Sequence, residues 1–166
     1  MKIVIAGLDD MRGFHGRVSH LLSIIDPEDV DYVFALGLPA ERRLLLACHD
    51  VESVADAKAR KREFPGSRCV APTSGMVRKA LSFARTLKED DTLLIHCGYG
   101  VSRSPAIAFA ILCQANPDST EAELFQHLLK IRPQARPSTL IVEFADKLLK
   151  RRGRMCRVVT RFDSLE

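Results

Sequence analysis

The sequence predicts a single α/β domain of three layers, in which helices flank a mainly parallel sheet of four or five strands. Two observations carry this prediction. Short, continuous apolar segments recur along the chain, as is typical of strands that are buried on both faces. Longer segments with apolar residues at helical spacing lie between them, and strands that alternate with helices favour a parallel sheet. The 166 residues suffice for one domain with its own core.

Four apolar segments are predicted to form the strands, and they span residues 2–6, 18–25, 44–48 and 92–96. The first segment is followed by a glycine, and the second by Asp26 and Pro27. The polar pair His49 and Asp50 follows the third, and the fourth leads directly into a glycine-containing loop. Polar or flexible residues are expected at these points, because they allow the chain to turn as it leaves a buried strand.

Helices are predicted in the intervening stretches, over residues 73–87, 104–115, 120–131 and 139–152. The second of these is apolar on nearly every side, which indicates a deeply buried helix. Pro105 fits its first position, where no backbone N–H is needed. Thr120 and Glu123 have the spacing of a capping box at the start of the third helix.

Two segments of the domain, which is predicted to span residues 1–166, depart from this alternation. Residues 52–72 are charged, and we interpret them as an insertion or lid that contains a short helix. The basic run 58–62 within it is more typical of a solvated helix face than of a patch that attracts an acidic partner. Residues 153–166 are basic and are predicted to form a C-terminal tail or edge strand.

Composition excludes several classes of protein. The net charge of +4 favours anionic partners only mildly and does not indicate nucleic acid binding. The five cysteines are irregularly spaced and include no CxxC pair, so they predict neither a disulfide framework nor a zinc site, and we expect a reducing cytoplasm. The apolar start of the chain is too short for a signal peptide, and no apolar stretch is long enough to cross a membrane.

The strongest functional signal is the segment His-Cys-Gly-Tyr-Gly-Val-Ser-Arg-Ser-Pro at residues 96–105. Five residues separate Cys97 from Arg103, between a predicted strand and a predicted helix. Gly98 and Gly100 allow the backbone to curl so that successive N–H groups point inward, and such a nest before a helix N-terminus binds an anion. Arg103 offers a planar fork that fits two phosphate oxygens.

The same loop predicts a nucleophile. Its positive field favours the thiolate form of Cys97, and the hydroxyl of Ser104 is placed to donate a hydrogen bond to the sulfur and to cap the helix. His96 is expected to hold the loop backbone through a hydrogen bond. A cysteine that is merely buried at a strand end is the simplest alternative, but it explains neither the two glycines nor Arg103. The loop residues predicted to contact the phosphate or the substrate are Gly98, Tyr99, Gly100, Val101, Ser102 and Arg103.

The order His-Cys, five residues, Arg and Ser resembles the signature of the protein tyrosine phosphatase superfamily, in particular its dual-specificity and small bacterial members. Residues 131–138, Ile-Arg-Pro-Gln-Ala-Arg-Pro-Ser, are similar to a segment in which family members carry Arg-Pro followed by Pro-Asn, with Ser138 in place of the usual Asn. Residues 22–27, Leu-Ser-Ile-Ile-Asp-Pro, resemble the end of the second strand in the bacterial group.

The resemblance implies a two-step hydrolysis that needs no metal or cofactor. Cys97 would attack the phosphorus to form a cysteinyl-phosphate, which water would then hydrolyse. Arg103 and the loop amides would hold the equatorial oxygens through both steps. The implied partner is a phosphorylated protein or peptide, with phosphotyrosine as the first substrate and phosphoserine or phosphothreonine as further ones. A phosphate or sulfate ion is expected to bind in the loop.

The resemblance also implies a general acid, because the family protonates the leaving oxygen from an Asp on a loop upstream of the cysteine. Asp50 is the first candidate, since it follows the third predicted strand and strand ends in open parallel sheets face the ligand crevice. Asp56, in the insertion, is the second candidate. Asp90 and Asp91 are interpreted as turn residues before the last strand.

Other functions stay open at this point. A module that captures phosphorylated ligands with weak turnover and a phosphatase for a non-protein phosphate both fit the loop. A rhodanese-type sulfurtransferase also uses a cysteine in an anion-binding loop, but the spacing to Arg103 and the following Ser104 favour a phosphatase. The variable loop positions hold no Lys or Arg, which makes a phosphoinositide a weaker candidate. Cys48 is a hypothetical redox partner of Cys97, because both follow apolar strands.

Overall fold

The four apolar segments form one parallel sheet. The structure is a computed structural model that describes residues 1–32, 36–63 and 69–164. Within these residues the sheet has four strands in the order β1-β4-β2-β3, and every neighbouring pair is parallel. The predicted α/β class is therefore confirmed. The strands are β1 Lys2–Ala6, β2 His20–Ile25, β3 Arg43–Ala47 and β4 Thr92–His96.

Six α-helices lie within the described ranges. They are α1 Val54–Glu63, α2 Ser74–Arg85, α3 Arg103–Ala115, α4 Glu121–Ile131, α5 Thr139–Leu148 and α6 Arg154–Asp163. The predicted capping box is present at α4, where Thr120 Oγ1 accepts from the backbone N–H of Glu123 and the Glu123 carboxylate accepts from that of Thr120. The short helix predicted in the insertion is α1, whereas residues 64–68 of that segment lie outside the described residues.

The two faces of the sheet carry different layers. On β4, Leu93 and Ile95 belong to the main core beneath the helices, whereas Leu94 belongs to a smaller cluster on the other face, as the alternation of a strand requires. That second face is covered by loops and the 3₁₀ turn Met11–Phe14 instead of α-helices. Helix α3 packs on β1, β2 and β4, and its buried residues run from Arg103 to Cys113, as its apolar sequence predicted.

The carboxyl ends of the strands meet at one edge of the sheet. His96, the last residue of β4, pairs with Ala6 of β1 and Ser23 of β2, and Ala47 of β3 pairs with Ile25 of β2. The loops that follow these strands therefore lie side by side. This is the edge where open parallel sheets bind ligands.

The prediction of a tail or edge strand at 153–166 is wrong, because α6 occupies Arg154–Asp163. Asp146 of α5 caps this helix, since its carboxylate accepts from the backbone N–H groups of Gly153 at 2.6 Å and Met155 at 2.9 Å. The preceding helix also ends earlier than predicted, at Leu148, and Gly153 has a positive φ of 78° in the turn between the helices. A cap supplied by the previous helix leaves no local signal at the start of α6.

The described helices include none that is both long and apolar enough to span a bilayer.

Candidate active site

Cys97 follows β4 and is 2% exposed. Its Sγ lies 3.2 Å from the Oγ of Ser104, within hydrogen-bonding distance. The sequence placed Ser104 beside this sulfur, and the structure brings the two together. The further expectation that Ser104 caps α3 is wrong, because the helix begins one residue earlier, with Ser102 at its N-cap position and Ser104 inside the first turn. Pro105 consequently occupies the third helical position.

The two glycine positions of the loop differ in whether the backbone requires a glycine there. Gly100 has φ +69°, and a Cβ on it would lie 2.6 Å from the carbonyl carbon and oxygen of Ala6 and 2.8 Å from the backbone nitrogen of Gly7. Only glycine fits there. Gly98 has no positive φ, and its Cβ would meet only Arg103 Nη2, at 3.8 Å. The expectation that Gly98 is needed for the curl is therefore wrong, since Gly100 alone supplies it.

The segment before α5 braces the loop from outside. Arg132 donates from Nε to the carbonyl of Gly100 at 3.1 Å and from Nη2 to that of Tyr99 at 3.0 Å. The backbone N–H of Arg136 donates to the carbonyl of Val101 at 2.7 Å, and that of Ser138 to Ser102 at 3.3 Å. These bonds turn the loop carbonyls outward, so the braced backbone can keep its N–H groups for a ligand.

The N–H groups of the loop are available in this way. Among the described residues, none of the backbone N–H groups of residues 98–102 donates to another protein group. The first strand supports the loop from the other side, where the N–H of Leu8 donates to the carbonyl of Gly98 at 2.8 Å. A concave backbone with free N–H groups in front of a buried helix is a general anion site.

Arg103 completes the cradle with one anchored and one open edge. Its Nη1 donates to Asp26 Oδ1 at 2.5 Å and to the carbonyl of Cys48 at 2.5 Å. Its Nε is buried and has no hydrogen-bond partner among the described residues, and Nη2 lies beside Gly98. An Nε and Nη2 edge of this kind is the fork that binds two oxygens of a phosphate. Sequence reasoning did not place Asp26 in the site, although its position directly after β2 was the available signal.

Asp50 reaches the mouth of the loop. Its Oδ1 accepts from the hydroxyl of Ser102 at 2.7 Å, and its Oδ2 lies 3.9 Å from Arg103 Nε. The side chain is 43% exposed, so it can meet a bound molecule. Asp56 lies further along, in the first turn of α1, on the wall of the neighbouring cleft. The structure therefore brings Asp50 into contact with the loop, whereas Asp56 lines the adjoining cleft.

Asp91 lies in the turn before β4, as the sequence indicated. Its carboxylate accepts from the backbone N–H of Lys88 and the hydroxyl of Ser19. The bond from Lys88 holds the pKa of Asp91 below its usual value. Since β4 runs away from this turn toward Cys97, Asp91 lies at the opposite end of the strand from the loop.

His96 lies directly beneath the loop, where burial opposes the protonated ring and a hydrogen bond with the backbone of Cys97 favours it. Its Nε2 lies 2.7 Å from the hydroxyl of Ser23 on β2, and the ring is fully buried. Burial lowers the pKa of His96 to about 4, which keeps the imidazole neutral. The side chain thus ties β4 to the neighbouring strand directly beneath the loop.

Two further predicted residues fall where the sequence suggested. Tyr99 is 84% exposed at the mouth of the loop. Cys48 is buried, and burial raises the pKa of its thiol to about 11. All five cysteines lie in the described residues, and none forms a disulfide. A redox role for Cys48 stays a prediction.

In the described part of the chain, no three His, Cys, Asp or Glu side chains are grouped so that they could hold a metal ion.

Comparison with known proteins identifies the fold. No protein-family model and no curated protein matches the sequence. Among solved structures, the PTP-2 phosphatase of Cydia pomonella is 23% identical with a TM-score of 0.62, over 89% of this chain and 85% of that chain. PTPMT1 is 16% identical with a TM-score of 0.63, over 99% and 96% of the two chains. DUSP15 is 15% identical with a TM-score of 0.62, over 96% and 90%. The chain therefore has the fold of protein tyrosine phosphatases of the dual-specificity type.

Proposed function

We propose that this chain is a cysteine-dependent phosphatase that hydrolyses phosphotyrosine in proteins or peptides, with phosphoserine and phosphothreonine as further substrates. The observation that carries the proposal is the convergence of Cys97 and the open edge of Arg103 on one loop whose N–H groups have no partner among the described residues. The fold alone does not decide the activity, because a human tyrosine phosphatase-like serine/threonine/tyrosine-interacting protein shares it.

The reaction follows from this arrangement in two steps. The thiolate of Cys97 attacks the phosphorus in line, the bond from phosphorus to the leaving oxygen breaks, and Asp50 donates a proton to that oxygen. Water then attacks the cysteinyl-phosphate with Asp50 as base, which releases phosphate and restores the thiolate. Arg103 and the loop amides hold the equatorial oxygens in both steps. The Ser104 hydroxyl donates to the sulfur and stabilises it as a leaving group.

Hydrolysis of p-nitrophenyl phosphate by matched variants tests the nucleophile. Cys97→Ser is expected to lose at least about 10⁴-fold in kcat, since a hydroxyl at this place is a far weaker nucleophile. Cys156→Ser, on α6, is the matched control and is expected to keep wild-type activity. Rapid quenching with ³²P-labelled substrate should trap label on wild-type protein and none on Cys97→Ser. Appreciable turnover by Cys97→Ser would exclude the mechanism.

The acid is tested by a series of aryl phosphates with leaving groups of different basicity. Asp50→Asn is expected to lose about 100-fold in kcat with phenyl phosphate and little with highly activated esters, because only poor leaving groups need the proton. Asp56→Asn is the matched control, expected to follow wild type across the series. The reverse result would assign the acid to Asp56.

A non-protein phosphate is the second candidate, because a solved structure with the same fold is PTPMT1 in complex with PI(5)P. Loop positions 98–102 carry no basic residue, whereas a polyanionic headgroup favours cationic neighbours. We therefore expect the phosphotyrosine peptide to exceed PI(5)P in mixed vesicles by about tenfold in kcat/KM. A higher kcat/KM for PI(5)P than for the peptide would assign the phosphoinositide as the preferred substrate.

A further inference from the structure

A cleft of about 690 Å³ opens beside the phosphate loop. Ser102 and Asp50 lie on its lining, so the cleft is continuous with the proposed catalytic site. Helix α1 and the residues just before it form one wall, and residues 136–139 form the other. A substrate whose phosphate lies in the loop must extend past the loop mouth, and this cleft is directly adjacent to it.

The charge of the cleft is set by which side of α1 faces it. Asp56, Arg60 and Glu63 are spaced by four and three residues and lie on one face of the helix. Of the basic run at 58–62, only Arg60 lines the cleft, whereas the other charged members are exposed elsewhere. The basic run, which the sequence indicated to be a solvated helix face, thus turns mainly away from the site.

Carboxylates outnumber cations on the lining. The lining carries four carboxylates, those of Asp50, Glu52, Asp56 and Glu63, and two guanidinium groups, those of Arg60 and Arg136. In the described part of the chain, the carboxylates of Glu52, Asp56 and Glu63 form no ion pair. The guanidinium of Arg136 lies over the ring of Phe162, 4.9 Å from its centroid. The cleft therefore has a net negative charge close to a positively charged loop.

A second, independent feature indicates a ligand in the cleft. Ser138 lines it, is 8% exposed, and its Oγ has no hydrogen-bond partner among the described residues. A buried hydroxyl without a partner is unfavourable unless something else satisfies it. The backbone N–H of Ser138 braces the loop, so this residue is held at the junction between the loop and the cleft.

We propose that this cleft binds a Lys or Arg side chain next to the phosphorylated residue, so that the substrate is a basic phosphopeptide. The proposal rests on the proposed function, because the loop must hold the phosphate before the cleft can bind the side chain of the neighbouring residue. The phosphate pairs with Arg103 and the loop, and the cationic side chain pairs with the carboxylates of Glu52, Asp56 and Glu63. Charges of opposite sign on one substrate are thus matched by two adjoining sites of opposite sign.

The test compares two phosphotyrosine peptides of equal length, one with Arg and one with Glu on both sides of the phosphotyrosine. Binding is measured by fluorescence anisotropy with Cys97→Ser protein, and kcat/KM with the wild type. The basic peptide is expected to be favoured by about five- to tenfold at low salt, as a few partly exposed ion pairs allow. The preference should fall toward one at about 0.5 M salt, where the charges are screened.

Two double variants assign the preference to the cleft. Glu52→Gln with Glu63→Gln should remove most of it, whereas Lys58→Gln with Lys61→Gln, on residues of the same helix that do not line the cleft, should leave the ratio of the two peptides unchanged. Equal use of both peptides by the wild type, or a ratio that Glu52→Gln with Glu63→Gln does not alter, would overturn the proposal. Tight binding of the basic peptide without turnover of any phosphate ester would instead reject the catalytic function and keep the cleft assignment.

Discussion

The phosphate loop and the segment that carries Asp50 are attached to the domain in different ways. The loop is fixed by hydrogen bonds to its backbone on both sides, from Leu8 and from the segment 132–138, and by the close approach of Gly100 to β1. Asp50 is held by one hydrogen bond from Ser102 and one long ion pair. The proposed cradle for the anion is therefore built into the core, whereas the proposed acid is attached by partly exposed polar contacts that a substrate can rearrange.

The largest effect expected from this difference in attachment tests whether the loop is as rigid as its contacts indicate. Gly100→Ala should lower kcat/KM at least about 100-fold, because the added Cβ displaces the loop from Ala6 and a shift of about 1 Å is enough for such a loss. Gly98→Ala, which meets only Arg103 Nη2 at 3.8 Å, should stay within about threefold of wild type. Similar kinetics for the two variants would remove the distinction between the two glycines.

The next effect concerns stability beneath the loop. Burial lowers the pKa of His96 to about 4, so the unfolded chain, with a value of about 6.5, binds the proton first as the pH falls. The free energy of unfolding should therefore fall by about 2 kcal/mol between pH 7 and pH 5. Most carboxyl groups titrate below this pH range. Urea unfolding at both pH values measures this loss.

His96→Gln keeps a polar group for Ser23 but does not titrate. Its free energy of unfolding should therefore fall by about 2 kcal/mol less than that of the wild type between pH 7 and pH 5. An NMR titration of the wild type offers a check that needs no variant, because the ring protons of His96 should not shift between pH 7 and pH 5. A ring that titrates near 6.5 would contradict the burial argument.

A smaller effect is expected where the two regions meet, at the anchor of Arg103. Asp26→Ala removes the oxygen that accepts from Nη1, and it should lower kcat/KM about tenfold, mainly through KM, because the fork is less well positioned for phosphate. Asp26→Asn keeps an acceptor oxygen and should recover most of the loss. If Asp26→Asn is as impaired as Asp26→Ala, the charge of Asp26 rather than its hydrogen bond positions Arg103.

The smallest effect is expected on the acid side. His49 Nδ1 accepts from the N–H of Val70 at 2.9 Å, so its Nε2 carries the proton and donates to Glu28 at 3.0 Å. Glu28→Gln keeps an acceptor and should change kcat for phenyl phosphate by about twofold or less, with Asp29→Asn as control. A loss near that of Asp50→Asn would mean that the acid segment is held as rigidly as the loop.

Much of the fold followed from local pattern, and the misses share a cause. The strands and the capping box at Thr120 depend on neighbouring residues, so the sequence predicted them closely. Helix α6 is capped by Asp146 from another helix, and Arg103 is anchored by Asp26, which is 77 residues away in the chain. Neither contact can be recognised in the hydrophobic periodicity of the sequence or in residues that are adjacent along the chain.

The sequence by itself determined the strand-loop-helix context of Cys97 and Arg103 and marked them as the candidate nucleophile and anion-binding residue, because they lie close together along the chain and their chemistry is specific. Only the tertiary structure decided which edge of Arg103 is open and that Asp50 accepts a hydrogen bond from Ser102 of the loop. It also decided that the cleft beside the loop is acidic although the insertion contains a basic run. Those properties depend on which strand ends lie side by side and on which face of α1 turns inward, and both are set by packing between distant segments.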